Sequence, residues 1–214
     1  QGQDELTHNH GGHGALGWGS FTANVYNRAS GTGSVAMGFN NIAGNPEGNG
    51  NFGKDENNGG QAVFGRASRA LGPVSFASGY RNTAAAQNSV AMGNYNYATG
   101  DSSVAIGKDN WAEGAGTVAI GFKNRAAGGG STALGQENIS WGTTNFTAGY
   151  QNTAGDTTAA VGTAGSAIAM GFKNVASGRS SVAFNRSTKS INQASASMGL
   201  GTTADNFGML AIGV

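Results

Sequence analysis

The sequence predicts an all-β protein built as a β-solenoid, a parallel β-roll of fourteen-residue coils. Three observations carry that expectation. A glycine closes a short apolar phrase at Gly93, Gly107, Gly121, Gly135 and Gly149, fourteen residues apart each time. Inside each phrase bulky and small apolar residues alternate, as in SVAMG, SVAIG and TVAIG, which is the period of a β-strand. The chain holds 39 glycines, 2 prolines and no cysteine, and its glycines fall in register with Val, Ile, Met and Ala, so they punctuate structure rather than mark low complexity. A short fixed period sustained along a chain is the signature of units that bury an apolar face only by stacking on their neighbours.

With the motif glycine as position 0, positions −3 and −1 carry Val35/Met37, Val90/Met92, Val104/Ile106, Val118/Ile120, Ile168/Met170 and Leu210/Ile212. Position −2 is alanine in nearly every coil, including Ala36, Ala91, Ala105, Ala119, Ala169 and Ala211. Each strand therefore has one bulky and one small face. A softer pattern follows, with Asn at +3 (Asn96, Asn110, Asn124), alanine at +5 and often glycine at +7, which reads as a second short strand behind a turn. The recurrent turn residues Asn96, Gly107, Asn110, Gly121, Asn124 and Gly135 are expected where positive φ or side-chain-to-backbone bonding is required.

In chain order, residues 1–14 form an N-terminal leader without the motif, expected to act between subunits, and residues 15–214 form a single β-roll domain. Asn24 takes the glycine slot of an early coil and Asn185 that of a late one, since Asn tolerates positive φ. Two insertions interrupt the register, near 45–60 and near 155–166. Two strands per coil make two sheets, and alanine at −2 facing alanine at +5 leaves a thin interior. The Val/Ile/Met face then points outward as an apolar stripe larger than soluble monomers tolerate, and packing against copies of the same chain is the simplest way to cover it.

Several function classes find no support. Net charge is +1 with 11% charged residues, which argues against a nucleic-acid partner or a basic membrane surface, and no apolar run reaches the roughly 20 residues of a membrane span. Residues 1–60 hold five acids and two bases, and residues 61–214 six acids and ten bases, so the two ends differ in sign. Neither a triad nor a paired-carboxylate site can be assembled, because all three histidines lie in the leader and the acids are scattered; no enzyme activity and no cofactor is expected. His8, His10 and His13 offer imidazoles close enough for Zn²⁺, Cu²⁺ or Ni²⁺, but with no supporting ligands a polar leader is the better reading and no metal is expected. Asp55, Glu56, Asn57 and Asn58 read as a solvated loop, since their spacing fits no Ca²⁺ loop. Trp18, Trp111, Trp141, Tyr95 and Tyr97 are expected to cover coil surfaces, and the sequons at Asn138, Asn145 and Asn185 to arise by composition.

The phrases SVAMG, SVAIG and TVAIG with a trailing N-x-A-x-G resemble the YadA-type head repeats of trimeric autotransporter adhesins, over about Ser20 to Val214. The resemblance implies a left-handed roll, a homotrimer with the Val/Ile positions along its axis, an extracellular or bacterial cell-surface location, and adhesion to matrix or surface ligands. Neither a heptad stalk nor an outer-membrane barrel segment is seen, so either an isolated head or a protein working without that anchor is expected. The final strand, Met209 to Val214, lacks a cap, from which a head-to-tail filament is expected, with the leader or the first coil completing the next subunit's last coil. The alternative is an isolated head acting as a discrete trimer. An ice-binding solenoid is less favoured, since no regular Thr-x-Thr rank is present.

Overall fold

The computed structural model describes residues 13–44, 59–157 and 165–213. Every regular element among them is a β-strand, and the chain divides into two compact units, Gln1–Ser102 and Ser103–Val214. In both, a coil contributes a long strand such as Val118–Phe122 and, behind a turn, a two-residue strand such as Arg125–Ala126. Long strands pair in parallel with long strands of the next coil and short with short, giving two sheets per unit. The register follows the repeat: Ile106 sits beside Ile120 and Ile120 beside Leu134, with the motif glycines Gly107, Gly121 and Gly135 aligned. β-branched residues at −3 suit a pleated surface packed on one side.

The interior of each coil is made of small side chains. Ala105, Ala119, Ala133 and Ala169 at −2, and Ala98, Ala112, Ala126 and Ala176 at +5, are all fully buried. A Ser or Thr at −4 is buried as well, as in Ser75, Ser89, Ser103, Thr117 and Ser131. Several of these hydroxyls close the adjoining corner by donating to the carbonyl three residues back, Ser89 to Ala86 at 2.6 Å and Thr117 to Gly114 at 2.8 Å. Methyl groups and hydroxyls make up most of the filling, with Val63 and Gln61 as larger buried residues in one coil, and most bulky apolar side chains are left on the outside.

Position +3 is where the structure refines the reading of the turns. Gly107, Gly121 and Gly135 hold φ of 118°, 123° and 109°, and Asn24 and Asn185 take the same slot at 71° and 87°. The +3 asparagines do something else: they are buried and form a ladder from coil to coil. Asn124 Nδ2 donates to Asn110 Oδ1 at 3.0 Å, to the Ile120 carbonyl at 2.9 Å and to the Gly135 carbonyl at 2.7 Å. Its Oδ1 accepts from the Asn138 backbone N–H at 3.0 Å and from Asn138 Nδ2 at 3.1 Å. Asn138 repeats the pattern onto Asn152. A buried amide is stable only when its donors and acceptors are met, and here the partner is the same residue one coil away.

Left-handed φ falls instead at +2 and +9, on residues with no shared chemistry: Arg81, Tyr95, Asp109, Lys123 and Glu137 at +2, and Asn88, Ser102 and Thr144 at +9. The corners at Arg81, Asn88, Tyr95, Ser102, Lys123, Glu137 and Thr144 are each held by a backbone bond to the preceding coil, such as Lys123 N–H to the Lys108 carbonyl at 2.9 Å and Thr144 N–H to the Gly129 carbonyl at 2.9 Å.

The register breaks resolve into single lengthened coils. Gly38 pairs directly with Gly65 across a 27-residue separation, and Gly149 with Gly171 across 22, so neither insertion removes a strand from its sheet. Both depart at the same repeat position, just after Gly44 and Gly155, which hold φ of 98° and 93°. Residues 45–58 and 158–164, the bulk of the two insertions, lie outside the described residues, as do leader residues 1–12.

Candidate self-association and ligand surfaces

The long-strand sheet turns its −3 and −1 side chains away from the alanine interior. In the first unit Val35, Met37, Val90 and Met92 lie on this outer face, and in the second Val104, Ile106, Val118, Ile120, Ile168, Met170, Leu210 and Ile212. Met92, Ile120 and Met170 remain 37%, 37% and 38% exposed, while Ala91, Ala119 and Ala169 beside them are at 0%. Side chains that large, in register and without cover from their own chain, form a continuous apolar stripe within each unit.

At the end of the long strand the chain turns through +1 and +2, and a second arrangement recurs there three times. An aromatic ring at +1 has two cations close to it, one at +2 of its own coil and one at +1 of an adjacent coil. Tyr80 has Arg81 at 5.2 Å and Arg66 at 5.7 Å from its centroid, Phe122 has Lys123 at 5.1 Å and Lys108 at 5.5 Å, and Phe172 has Lys173 and Arg186 both at 5.3 Å. Around the first of these, Arg81 Nη1 donates to the Tyr95 hydroxyl at 2.6 Å. Glu137 shares this edge; hydrogen bonds from the Gln151 and Gln136 amides, helped by Lys123, hold its carboxyl below the usual glutamate range.

The short-strand sheet carries a more varied outer face. Arg125 pairs with Glu113 at 3.0 Å and covers Trp141 at 4.6 Å from the ring centroid. Trp111 stands beside Arg125 in the sheet and is exposed, as is Trp18.

Other residues singled out by type fall apart spatially or outside the described chain. His13 is half-buried with its ring edge-on to Tyr26 at 5.5 Å, and His8 and His10 lie outside the described residues, as do Asp55, Glu56, Asn57 and Asn58. Among the described residues no three metal-ligating side chains converge, and no helix is long and apolar enough to cross a membrane. Of the sequon asparagines, Asn138 and Asn145 are buried in the interior, whereas Asn185 is exposed.

The ring-and-cation arrangement is the feature that residue-by-residue reading missed. Its signal is present: the motif glycine is followed by an aromatic and then a base at Gly79-Tyr80-Arg81, Gly121-Phe122-Lys123 and Gly171-Phe172-Lys173. The other cation of each trio sits a coil away, at a position where the residue type varies freely.

Fold and surfaces together define a repeat protein of the parallel β-roll class, its bulky apolar residues outside. The YadA head domain repeat matches residues 27–44, 70–96, 98–124, 112–138 and 163–184, together just over half of the chain. The chain belongs to this family, the YadA-like head repeats of trimeric autotransporter adhesins, which are displayed on the bacterial cell surface. No curated protein matches it.

Proposed function

We propose that this chain is an adhesive module of a bacterial surface structure, in which three copies pack their −3/−1 stripes around a common axis and present their remaining faces to a matrix or surface ligand. The observation that carries this reading is the stripe itself: Met92, Ile120 and Met170 are each more than a third exposed on an isolated chain, in sheets whose inner faces are fully closed. Burying the exposed third or so of such a residue returns about 0.5–1 kcal/mol for each bulky side chain, and repetition along a sheet multiplies the gain over many coils. No catalytic constellation enters this reading; the family is one of adhesins, and the chain's own chemistry is that of surfaces.

Sedimentation equilibrium tests the association. The 21.3 kDa chain is expected at three times its own mass, and Ile106→Asp with Ile120→Asp is expected to release monomers that keep their β-sheet circular dichroism. Larger, open-ended species would favour a fibre of stacked subunits over a discrete trimer, and a monomer at all concentrations overturns the reading. For adhesion, the chain displayed on a non-adherent bacterium should confer attachment to matrix-coated or cell-coated plates; no gain in attachment on any surface counts against an adhesive role.

A further inference from the structure

We infer that the ring-centred cation pairs are docking points for a linear acidic polysaccharide, with those at Phe122 and Phe172 lying along one turn edge of the second unit. In each, two positive side chains lie within about 6 Å of one aromatic ring: Arg66 and Arg81 on Tyr80, Lys108 and Lys123 on Phe122, Lys173 and Arg186 on Phe172. All six cations are exposed, and none forms an ion pair with a carboxylate among the described residues. The ring orders both cations by cation–π attraction but does not neutralise them. Two like charges fixed on one small ring, with no acid of the described chain paired to either, create a local potential that an incoming anionic group relieves. Asp109 and Glu137 are the acids on this edge in the second unit; Asp109 makes no ion pair among the described residues, and Glu137 is engaged by Gln151 and Gln136.

The arrangement separates a polysaccharide from other polyanions. The rings are already engaged by cations, and Phe172 is also stacked on Tyr150 at 5.2 Å, so they offer no open platform for stacked bases, which is how single-stranded nucleic acid is held. Within the second unit the rings Phe122 and Phe172 are three coil steps apart, about 14 Å at about 4.8 Å per step. Positive charge that sparse does little for a duplex carrying a charge about every 1.7 Å. It suits a polymer whose carboxylate or sulfate groups are separated by uncharged sugar rings, with each anionic group set between the two cations of one ring. The inference deepens the adhesive reading and rests on it, by naming the chemistry of the ligand.

The test uses the whole chain on surfaces coated with hyaluronate, dextran sulfate or neutral dextran, read by biolayer interferometry at low and high salt. Binding to one or both acidic polymers and not to neutral dextran is expected, and the two acidic arms distinguish a carboxylated from a sulfated ligand. Raising salt from about 0.05 to about 0.5 M should abolish it. Lys108→Ala/Lys123→Ala/Lys173→Ala/Arg186→Ala should weaken binding about tenfold or more, with unchanged melting and sedimented mass, while Arg125→Ala/Lys189→Ala, which removes charge elsewhere, should change it less than about twofold. Phe122→Leu/Phe172→Leu keeps every charge and removes the rings; a loss of about threefold or more is expected if the rings set the cation geometry. Equal losses in the two cation variants, no effect of the ring variant, or tighter binding to duplex DNA or to phosphatidylserine vesicles than to either acidic polymer would each overturn the inference. A chain that associates normally yet binds no polyanion overturns the docking points while leaving the stripe in place.

Discussion

Replacing Asn124 by alanine should be among the most damaging single changes outside the glycines. The Asn124 side chain takes part in five contacts, three donated through Nδ2 and two accepted at Oδ1. Nδ2 carries two hydrogens shared among three acceptors, so about four full hydrogen bonds are at stake, each worth about 1 kcal/mol net. The truncation also leaves the buried Asn138 backbone N–H without its acceptor, a cost of about 1–3 kcal/mol unless a water enters the space. Together these terms give an expected loss of about 5–7 kcal/mol, less whatever an entering water restores. The protein supplies its own comparison: Ser68 fills the +3 slot of one coil, where its hydroxyl accepts from Asn82 N–H at 3.2 Å and donates to the Gly79 carbonyl at 3.2 Å. Asn124→Ser keeps the acceptor for Asn138 and should therefore cost about half as much as Asn124→Ala. Urea unfolding at one fixed protein concentration measures both, since association raises apparent stability by mass action. A loss below about 1 kcal/mol for alanine, or equal losses for serine and alanine, would refute the ladder as a source of stability.

Three further outcomes follow from the same geometry. At Gly121, with φ of 123°, an added Cβ runs into the Gly135 carbonyl, whereas at Gly130, with φ of 67°, it meets only the Thr144 methyl at 3.4 Å. Gly121→Ala should thus cost more than about 3 kcal/mol, and Gly130→Ala, in a slot that Thr144 and Ser102 occupy elsewhere, about 1–2 kcal/mol, both read from urea midpoints. The lowered Glu137 pKa means that its contribution to stability is present above the ordinary glutamate value of 4.5 and lost as pH falls through the folded-state value. Gln151→Ala should move that pKa up toward the ordinary value in a carboxyl-detected NMR titration. In a host that glycosylates Asn-x-Ser/Thr, the folded chain should be modified at Asn185 and spared at Asn138 and Asn145, as checked by peptide mass mapping.

The parts of the fold legible in the sequence are those enforced by periodic side-chain chemistry. Alanine at −2 and +5 announces a thin interior, and the pairs from Val35/Met37 to Leu210/Ile212 mark the outer stripe, because one residue class predominates at each position. The +3 asparagines are visible as a column, but their type fits turns and buried ladders equally well, and only the coil-to-coil distance decides between them. The left-handed corners at +2 and +9 leave no compositional trace. Lys123, Tyr95 and Glu137 adopt them because a backbone bond to the preceding coil holds each corner, whatever the side chain. The cation pairs are legible only in half: Tyr80-Arg81, Phe122-Lys123 and Phe172-Lys173 are adjacent in sequence, while Arg66, Lys108 and Arg186 reach the rings through the sheet register.

The central claim is that the bulky side of the long-strand sheet is shared between copies of the chain, and oxidative cross-linking tests it most directly because the protein contains no cysteine of its own. Single cysteines introduced as Ile120→Cys, on the stripe, and as Val175→Cys, on the other sheet, are oxidised mildly and compared on non-reducing gels. Copies packed stripe to stripe bring the sulfurs introduced by Ile120→Cys within disulfide reach of one another, so that variant should yield species of twice the chain mass and Val175→Cys only single chains. Cross-links from Val175→Cys and none from Ile120→Cys would contradict the account.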